Sequence, residues 1–439
     1  MYFQNILLKV NNKISTFYQL IKKNQLIKEF LANFSEVLIY KIITGLLLVV
    51  VTIITARAVT PSEFGRIGIV NNLSYLLFVP MLLGVHSSMY KFLPTSNETE
   101  CNELIFISVI GSSLSISLFV LLFLGVFPFF IGELNITNYL WQTGIIMTVI
   151  LSLNVLSESY LRGKKLFSEI CKYRLIGSVV NFMMIVLFYN GLHQNSLDYY
   201  FLSLAASHIL FTILALFKIK IKISTPINWR KIKKVYQYCV SSSISMFLGG
   251  FIFVSDMFFV NYFCSPEEVG LYNAYQGFCK NIFSVLFYEV FMVVFLPLIA
   301  HSNYNQLAKR KVSAYLPAIL VIAITGSSLA MIFFIKLFGH NYQLNYLYVA
   351  LSSISIAVYA IYQIKIAIYN MEGKKSALMT GITILICLPV LFFLQLMTTK
   401  YWGITGALVS VVFTNLLLLL VMEIGFRYFF FWGKNTIND

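Results

Sequence analysis

Five charged side chains lie inside long apolar stretches of the sequence, where a membrane-spanning segment would exclude water. A charge at the centre of such a segment costs about 2.5–3.5 kcal/mol unless it is paired or hydrated. Residues of this kind bind charged substrates, couple transport to ions, or hold two helices together. The five residues are Lys41, Asp256, Lys280, Glu289 and Lys365.

The spacing of Asp256 and Lys280 predicts that they touch. At 1.5 Å per residue, Asp256 lies about 9 Å before the end of one apolar segment, and Lys280 lies about 13 Å into the next. The short turn SPEEVG joins these segments, so they run antiparallel and side by side. The sequence leaves two interpretations open: an ion pair that holds two helices together, or a site for substrate or for a coupling ion.

The composition shows which elements must position these charges. Hydrophobic residues make up 59% of the chain and charged residues only 11%, whereas soluble domains carry about 25% charged residues. Apolar stretches of about 20 residues recur throughout, which indicates a multi-pass helical membrane protein. Basic cytoplasmic loops and anionic membrane lipids then explain the net charge of +15, with no nucleic acid as a partner. The six scattered cysteines include no CxxC pair, and no metal site is predicted.

The predicted fold is an all-α integral membrane protein with twelve transmembrane helices in two lobes of six. An amphipathic N-terminal segment (1–33) precedes an N-lobe (34–217), a basic linker (218–235), a C-lobe (236–426) and a tail (427–439). The predicted spans are 35–57, 67–90, 104–130, 138–160, 173–191, 198–217, 236–262, 271–298, 314–336, 345–369, 376–397 and 403–426.

The basic residues predict how the chain is oriented. With the N-terminus in the cytoplasm, 25 of the 32 Lys and Arg residues fall on the cytoplasmic side, whereas Arg57, Arg66, Lys336 and Lys400 fall on the opposite side. Basic loops are retained in the cytoplasm during insertion. Both termini and the linker are therefore expected to be cytoplasmic.

Two copies of one helix start support the division into lobes. In Thr60–Ile67 and Ser265–Tyr272, a hydroxyl residue precedes proline, glutamate follows the hydroxyl by three positions, and glycine comes two residues later. This order predicts a capping box with proline in the first helical turn. Nearly half of the chain separates the copies. A second match, Tyr160–Lys165 with Asn370–Lys375, ends the fourth span of each half. Six spans is an even number, so the halves form a parallel repeat around a central cavity.

The order of several short motifs resembles the bacterial oligosaccharide-repeat-unit flippases of the polysaccharide-transporter family. The resemblance covers roughly residues 34–426. It rests on Ala56-Arg57 followed by Pro61-x-Glu63-Phe64-Gly65, Lys91-Phe92-Leu93-Pro94, Leu161-Arg162-Gly163, Ser265 to Tyr272, and Gly403-Ile404-x-Gly406-Ala407.

The resemblance implies a monomeric flippase of the bacterial cytoplasmic (inner) membrane. Such a protein moves undecaprenyl-diphosphate-linked oligosaccharide to the outer leaflet by alternating access, for O-antigen, other lipopolysaccharide or capsule. It implies a polysaccharide polymerase and a chain-length regulator as partners, and no cofactor beyond H+ or Na+ coupling. A diphosphate needs a cationic cavity, for which we expect Lys41, Arg57, Lys280 and, as a weaker fourth, Lys365. Asp256 or Glu289 is expected to couple the cycle to the ion.

Two other functions remain open from the sequence. A multidrug/cation antiporter of the same architecture would favour buried carboxylates over the buried lysines found here. A membrane glycan polymerase or ligase would need a long extracytoplasmic loop with arginines, and the connections on that side are short.

Overall fold

The computed structural model describes residues 25–125, 135–219, 229–283, 305–370 and 374–435, and nearly all of them are helical. Glu289, most of the predicted N-terminal segment and part of the basic linker lie outside these ranges. In the first half the helices are α1 (Gln25–Ala58), α2 (Pro61–Leu82), α3 (Val85–Phe92), α4 (Glu98–Gly125), α5 (Asn138–Gly163), α6 (Phe167–Ile185) and α7 (Leu197–Lys218). In the second half they are α8 (Trp229–Phe263), α9 (Pro266–Tyr272), α10 (Phe278–Ile282), α11 (Asn305–Phe338), α12 (Tyr346–Asn370) and α13 (Lys374–Asn435).

Nine helices in the described part of the chain are long and apolar enough to cross a membrane. The last of these, Met379–Phe426, has 48 residues. At 1.5 Å per residue it would extend about 72 Å, more than twice the roughly 30 Å of a bilayer core. Its backbone leaves the helical region at Gly403, with φ 53° and ψ −134°. The break divides this helix between the last two predicted spans. The all-helical membrane fold is confirmed, and the count of twelve spans stays a prediction.

Both predicted capping boxes are present. The Glu63 amide donates to Thr60 Oγ1 at 3.3 Å, and Glu63 Oε2 accepts from the Thr60 amide at 3.0 Å. The second copy repeats the arrangement between Ser265 and Glu268, with distances of 3.3 and 2.8 Å. A helix cap of this kind contributes about 1 kcal/mol. The two boxes therefore fix where α2 and α9 begin, at one end of the helix bundle, which we call the capping-box end.

The largest cluster of buried apolar residues includes members from both halves of the chain. At the capping-box end, the Phe64 ring lies edge-on to Phe338 and Tyr342, with both centroid distances 5.9 Å. Phe338 in turn contacts the Phe278 ring at 5.4 Å. Edge-to-face aromatic pairs contribute about 0.5–1.5 kcal/mol beyond the area they bury. The two halves are thus joined at this end by a continuous aromatic core.

Candidate functional site

Asp256 and Lys280 form the contact that their spacing predicts. Lys280 Nζ lies 2.7 Å from Asp256 Oδ1 and 2.6 Å from Oδ2. The Lys280 side chain is 10% exposed and that of Asp256 is 1% exposed. The ammonium also donates to the Phe253 carbonyl at 2.5 Å. An ammonium has three N–H donors, and these three acceptors use all of them.

Asp256 is equally well satisfied. Tyr272 donates its hydroxyl hydrogen to Asp256 Oδ2 at 2.6 Å, and the Met257 amide donates to Oδ1 at 3.0 Å. Asp256, Lys280 and Tyr272 therefore form a closed network, which we call the ion triad. Removing one member of a buried pair leaves an uncompensated charge and costs about 3–5 kcal/mol. An anion can reach the Lys280 ammonium only by displacing Asp256 or Phe253, which disfavours Lys280 as a simple diphosphate-binding cation in this conformation.

A π-helical turn brings Tyr272 and Lys280 onto the same face. The turn spans Asn273–Gly277, between α9 and α10. At 100° per residue, eight steps of α-helix would leave these two side chains about 80° apart. A π turn absorbs one extra residue, so the pair behaves as if seven steps apart, about 20° from alignment. This π turn was not predicted, and no motif in the sequence indicates it.

The two capping-box helices cross each other at very short range. A Cβ atom added to Gly270 would lie 1.8 Å from the Pro61 carbonyl oxygen, and one added to Gly65 would lie 2.7 Å from the Gly270 nitrogen. The Asn273 amide side chain donates to the Phe64 carbonyl at 2.8 Å. We call this contact the glycine crossing. Only glycine permits such an approach between two backbones, so the repeated motif supplies the surface on which the halves meet.

Contact between the halves continues along α2 and α3 to the other end of α8. Gly84, with φ +71°, separates α2 from α3, and a Cβ there would lie 2.1 Å from the Cys239 carbonyl oxygen. Ser243 donates to the Val79 carbonyl at 3.4 Å. Further along, the Lys91 ammonium lies 3.9 Å from the centroid of the Tyr238 ring. The α2–α3 pair therefore follows α8 over most of its length.

The four predicted cavity cations have different surroundings. Arg57 is exposed at the end of α1, where its Nε donates to the Leu337 carbonyl at 2.5 Å. Lys365 pairs with Glu423 at 2.5 Å, between α12 and α13. Lys41 is half-buried on α1, and Lys280 belongs to the ion triad. Arg57, Lys280 and Lys365 thus have separate partners, and a single cavity lined by all four stays a prediction.

A buried charge cluster in the first half was not predicted. Glu158 is 4% exposed and forms ion pairs with Arg162 and Arg174. The Arg174 guanidinium also lies 5.7 Å from the centroid of the Phe211 ring. The spacing of Glu158 and Arg162, four residues apart on one helix, was a usable signal. Arg174 comes from the next helix, so its contribution could not be inferred from spacing. Among the described residues, no group of three His, Cys, Asp or Glu side chains is arranged to hold a metal ion.

The fold and these contacts define a class of protein: a multi-pass, all-helical membrane protein with the fold of the MOP superfamily transporters. An inward-facing multidrug transporter of the MATE family has a TM-score of 0.66 at 13% identity, covering 89% of this chain and 96% of that one. An inward closed structure of the lipid II flippase MurJ has a TM-score of 0.63 at 15% identity, covering 90% and 87%. A MOP superfamily transporter from Pyrococcus furiosus has a TM-score of 0.56 at 15% identity, covering 90% and 95%. Identities this low establish the fold alone.

The family follows from the sequence itself. The family described as polysaccharide biosynthesis protein matches residues 54–335, well over half of the chain. The chain belongs to this family. Comparison with curated protein sequences gave no match. The match confirms the predicted family, and the fold is the one that the MOP superfamily transporters have.

Proposed function

We propose that the protein flips undecaprenyl-diphosphate-linked oligosaccharide repeat units from the cytoplasmic to the outer leaflet of the bacterial inner membrane. The product would supply surface polysaccharide such as O-antigen or capsule, with a polymerase and a chain-length regulator acting afterwards. The observation that carries the proposal is the match to the polysaccharide biosynthesis family over residues 54–335. That range includes the ion triad and both helices of the glycine crossing.

The glycine crossing supports alternating access between the two halves. The distribution of basic residues assigns the capping-box end to the extracytoplasmic side. In the proposed cycle this contact opens and closes the extracytoplasmic end, and the substrate enters from the cytoplasmic side. The backbones of the two helices meet at Gly65 and Gly270, and the Asn273 side chain donates to the Phe64 carbonyl. Opening this end would also separate the Phe64 ring from Phe338 and Tyr342.

The ion triad is the proposed point of ion coupling. A proton or Na+ that binds Asp256 competes with the Lys280 ammonium for the same carboxylate oxygens. Releasing Lys280 would loosen the contact of α8 with the π turn and with α10. Asn273, which belongs to the π turn, makes a hydrogen bond in the glycine crossing, so the crossing would be loosened as well. Glu289 remains a second candidate for coupling.

A neutral replacement tests this coupling role separately from folding. Replacing a buried ion pair by apolar or neutral groups of similar size is often tolerated, so Asp256→Asn with Lys280→Met should keep the protein folded. We expect transport by this double variant to lose its dependence on an H+ or Na+ gradient in reconstituted vesicles. Gradient-driven transport equal to that of the wild type would show that the triad is purely structural.

The multidrug/cation antiporter is the second candidate, and the charges of the described interior disfavour it. Antiporters of cations need carboxylates that can accept the substrate's charge. Here Asp256 is held by Lys280, and Glu158 is held by Arg162 and Arg174. These carboxylates are neutralised by the protein itself, which suits an anionic substrate better than a cationic one.

Deletion and complementation in a glycan-producing bacterium without a redundant flippase test the proposed function. We expect the deletion strain to lose surface polysaccharide and accumulate lipid-linked oligosaccharide, and the wild-type gene to restore export. Drug susceptibility measured in the same strains distinguishes the second candidate. If the deletion strain keeps its surface polysaccharide and becomes more susceptible to drugs, the protein is an antiporter and not a flippase.

A further inference from the structure

A groove with a volume of about 560 Å³ runs between α5 and α7, both in the first half of the chain. Each helix lines it with three residues at the spacing i, i+4, i+7, which places them on one helix face. They are Tyr139, Thr143 and Ile146 on α5, and Asp198, Leu202 and Ala205 on α7. We call it the Asp198 groove. It shares no lining residue with the ion triad, the glycine crossing or the charge cluster at Glu158.

The Asp198 groove is polar at one end and apolar along the rest of its length. Tyr139 and Asp198 lie at the end where α5 and α7 begin. Ile146 and Ala205 are each seven residues further along, which is about 10 Å at 1.5 Å per residue. Ile146 is 60% exposed and Leu202 is 53% exposed, so the described part of the chain leaves this apolar section uncovered. The groove therefore fits a molecule that has a polar head and an apolar chain.

The loop between α6 and α7 holds a hydrogen-bond donor at the polar end. The Gln194 backbone amide donates to the Phe188 carbonyl at 2.9 Å, and the Tyr189 hydroxyl donates to the Ser196 carbonyl at 3.1 Å. The Tyr199 hydroxyl donates to Gln194 Oε1 at 3.3 Å, which orients the Gln194 side chain. The Gln194 NH2 group has no hydrogen-bond partner among the described residues, so it can donate to a ligand.

The charge of the lining selects the kind of head. Asp198 is the one charged residue that lines the groove within the described ranges, and it is exposed and forms no ion pair there. Its Oδ1 accepts from the Tyr139 hydroxyl and its Oδ2 accepts from Ser196 Oγ. Each carboxylate oxygen can accept one further hydrogen bond. Such a site attracts an ammonium group and repels a diphosphate that carries no cation of its own.

We propose that the Asp198 groove binds phosphatidylethanolamine. The headgroup ammonium donates to Asp198, a phosphate oxygen accepts from the Gln194 NH2 group, and one acyl chain lies along Ile146, Leu202 and Ala205. The orientation predicted from the basic residues places the beginnings of α5 and α7 on the extracytoplasmic side, so the lipid belongs to the outer leaflet. The proposal does not depend on the proposed substrate, so either can fail while the other stands.

Native mass spectrometry of the purified full-length protein tests the site with phosphatidylethanolamine and phosphatidylglycerol of the same acyl chains. The net charge of +15 attracts phosphatidylglycerol to basic loops as well, so each lipid is compared between variants. Asp198→Asn removes the charge and keeps the shape of the side chain and an acceptor for Tyr139. We expect it to weaken phosphatidylethanolamine binding about three- to fivefold and to leave phosphatidylglycerol binding unchanged. Glu267→Gln is the matched control, since Glu267 is an exposed carboxylate outside the groove.

A third titration tests the apolar part of the groove. Glycerophosphoethanolamine has the same headgroup and no acyl chains, so we expect no binding at concentrations that saturate the site with phosphatidylethanolamine. Binding of this compound as tightly as the lipid would overturn the proposal. Unchanged phosphatidylethanolamine binding by Asp198→Asn would also overturn it. So would an equal loss of both lipids in Asp198→Asn, because the carboxylate would then not be what selects the ammonium headgroup.

Discussion

Replacing Gly270 by alanine should open the capping-box end. The new Cβ would lie 1.8 Å from the Pro61 carbonyl oxygen, whereas real Cβ contacts essentially never fall below 3.0 Å. The two helices must therefore separate by at least about 1.2 Å. Overpacking of this kind costs about 1–3 kcal/mol. If the substitution destabilises only the closed conformation, and by about 2 kcal/mol, the ratio of closed to open protein decreases roughly 30-fold.

Spin-label distances across the glycine crossing measure this ratio. Labels at Ser62→Cys and Glu267→Cys lie on the two crossing helices, in a background where the six native cysteines, none of them in a disulfide in the structure, are replaced by serine. We expect a short, narrow distance distribution in the wild type. Gly270→Ala should shift it to longer distances, with impaired export at normal protein level.

Two further glycine variants are controls in which the added Cβ causes a smaller clash or none. A Cβ at Gly65 would lie 2.7 Å from its nearest neighbour, so Gly65→Ala should shift the distribution less than Gly270→Ala. A Cβ at Gly250, in the middle of α8, meets nothing within 4 Å. Gly250→Ala should leave the distances unchanged, and it removes a helix-weakening glycine. A folded Gly270→Ala protein with the wild-type distribution would refute the reasoning that the crossing is a closed contact.

The remaining predictions concern stability of the purified protein, measured by thermal unfolding in detergent. Lys280→Ala should destabilise it by about 3–5 kcal/mol, because Asp256 is left buried and unpaired; a loss below about 1 kcal/mol would contradict the geometry of the triad. Tyr272→Phe removes one hydrogen bond to the Asp256 carboxylate and should lower the stability by about 1.5–3 kcal/mol. Unchanged stability would show that the carboxylate is hydrated instead. Glu423→Gln breaks the ion pair between Glu423 and Lys365, whose side chains are 26% and 16% exposed. The expected loss of stability is therefore at most about 1 kcal/mol. A larger loss would show that this pair is effectively desolvated.

The parts of the fold that could be predicted depend on local rules. The capping boxes at Thr60 and Ser265 follow from residue types within four positions. The Asp256–Lys280 contact follows from depth along two helices joined by a short turn. Neither prediction requires knowing which helix faces pack against each other.

The parts that could not be predicted depend on contacts between distant segments. Spacing shows that Gly65 and Gly270 occupy equivalent places, but it cannot show that these places touch. Arg57 lies at the predicted boundary of its span, yet its partner, the Leu337 carbonyl, is 280 residues away.

Exchanging the two paired charges, Asp256→Lys with Lys280→Asp, would not separate a structural role from a coupling role. The Lys280 ammonium donates a hydrogen bond to the Phe253 carbonyl, whereas Asp256 accepts hydrogen bonds from the Tyr272 hydroxyl and the Met257 amide. After exchange, the ammonium would face two donors and the carboxylate would face an acceptor. Exchange is therefore expected to be poorly tolerated even if the pair is only structural. This is why the neutral double variant is the better test.

Translocation in reconstituted vesicles tests the central claim most directly. Vesicles containing the purified protein are loaded with undecaprenyl-diphosphate-linked oligosaccharide in one leaflet, and a membrane-impermeant lectin measures its arrival in the other. We expect the oligosaccharide to arrive only when the protein is present, more slowly with Gly270→Ala and at the wild-type rate with Gly250→Ala. Arrival no faster than in protein-free vesicles, with wild-type protein shown to be folded and inserted, would contradict the proposed function.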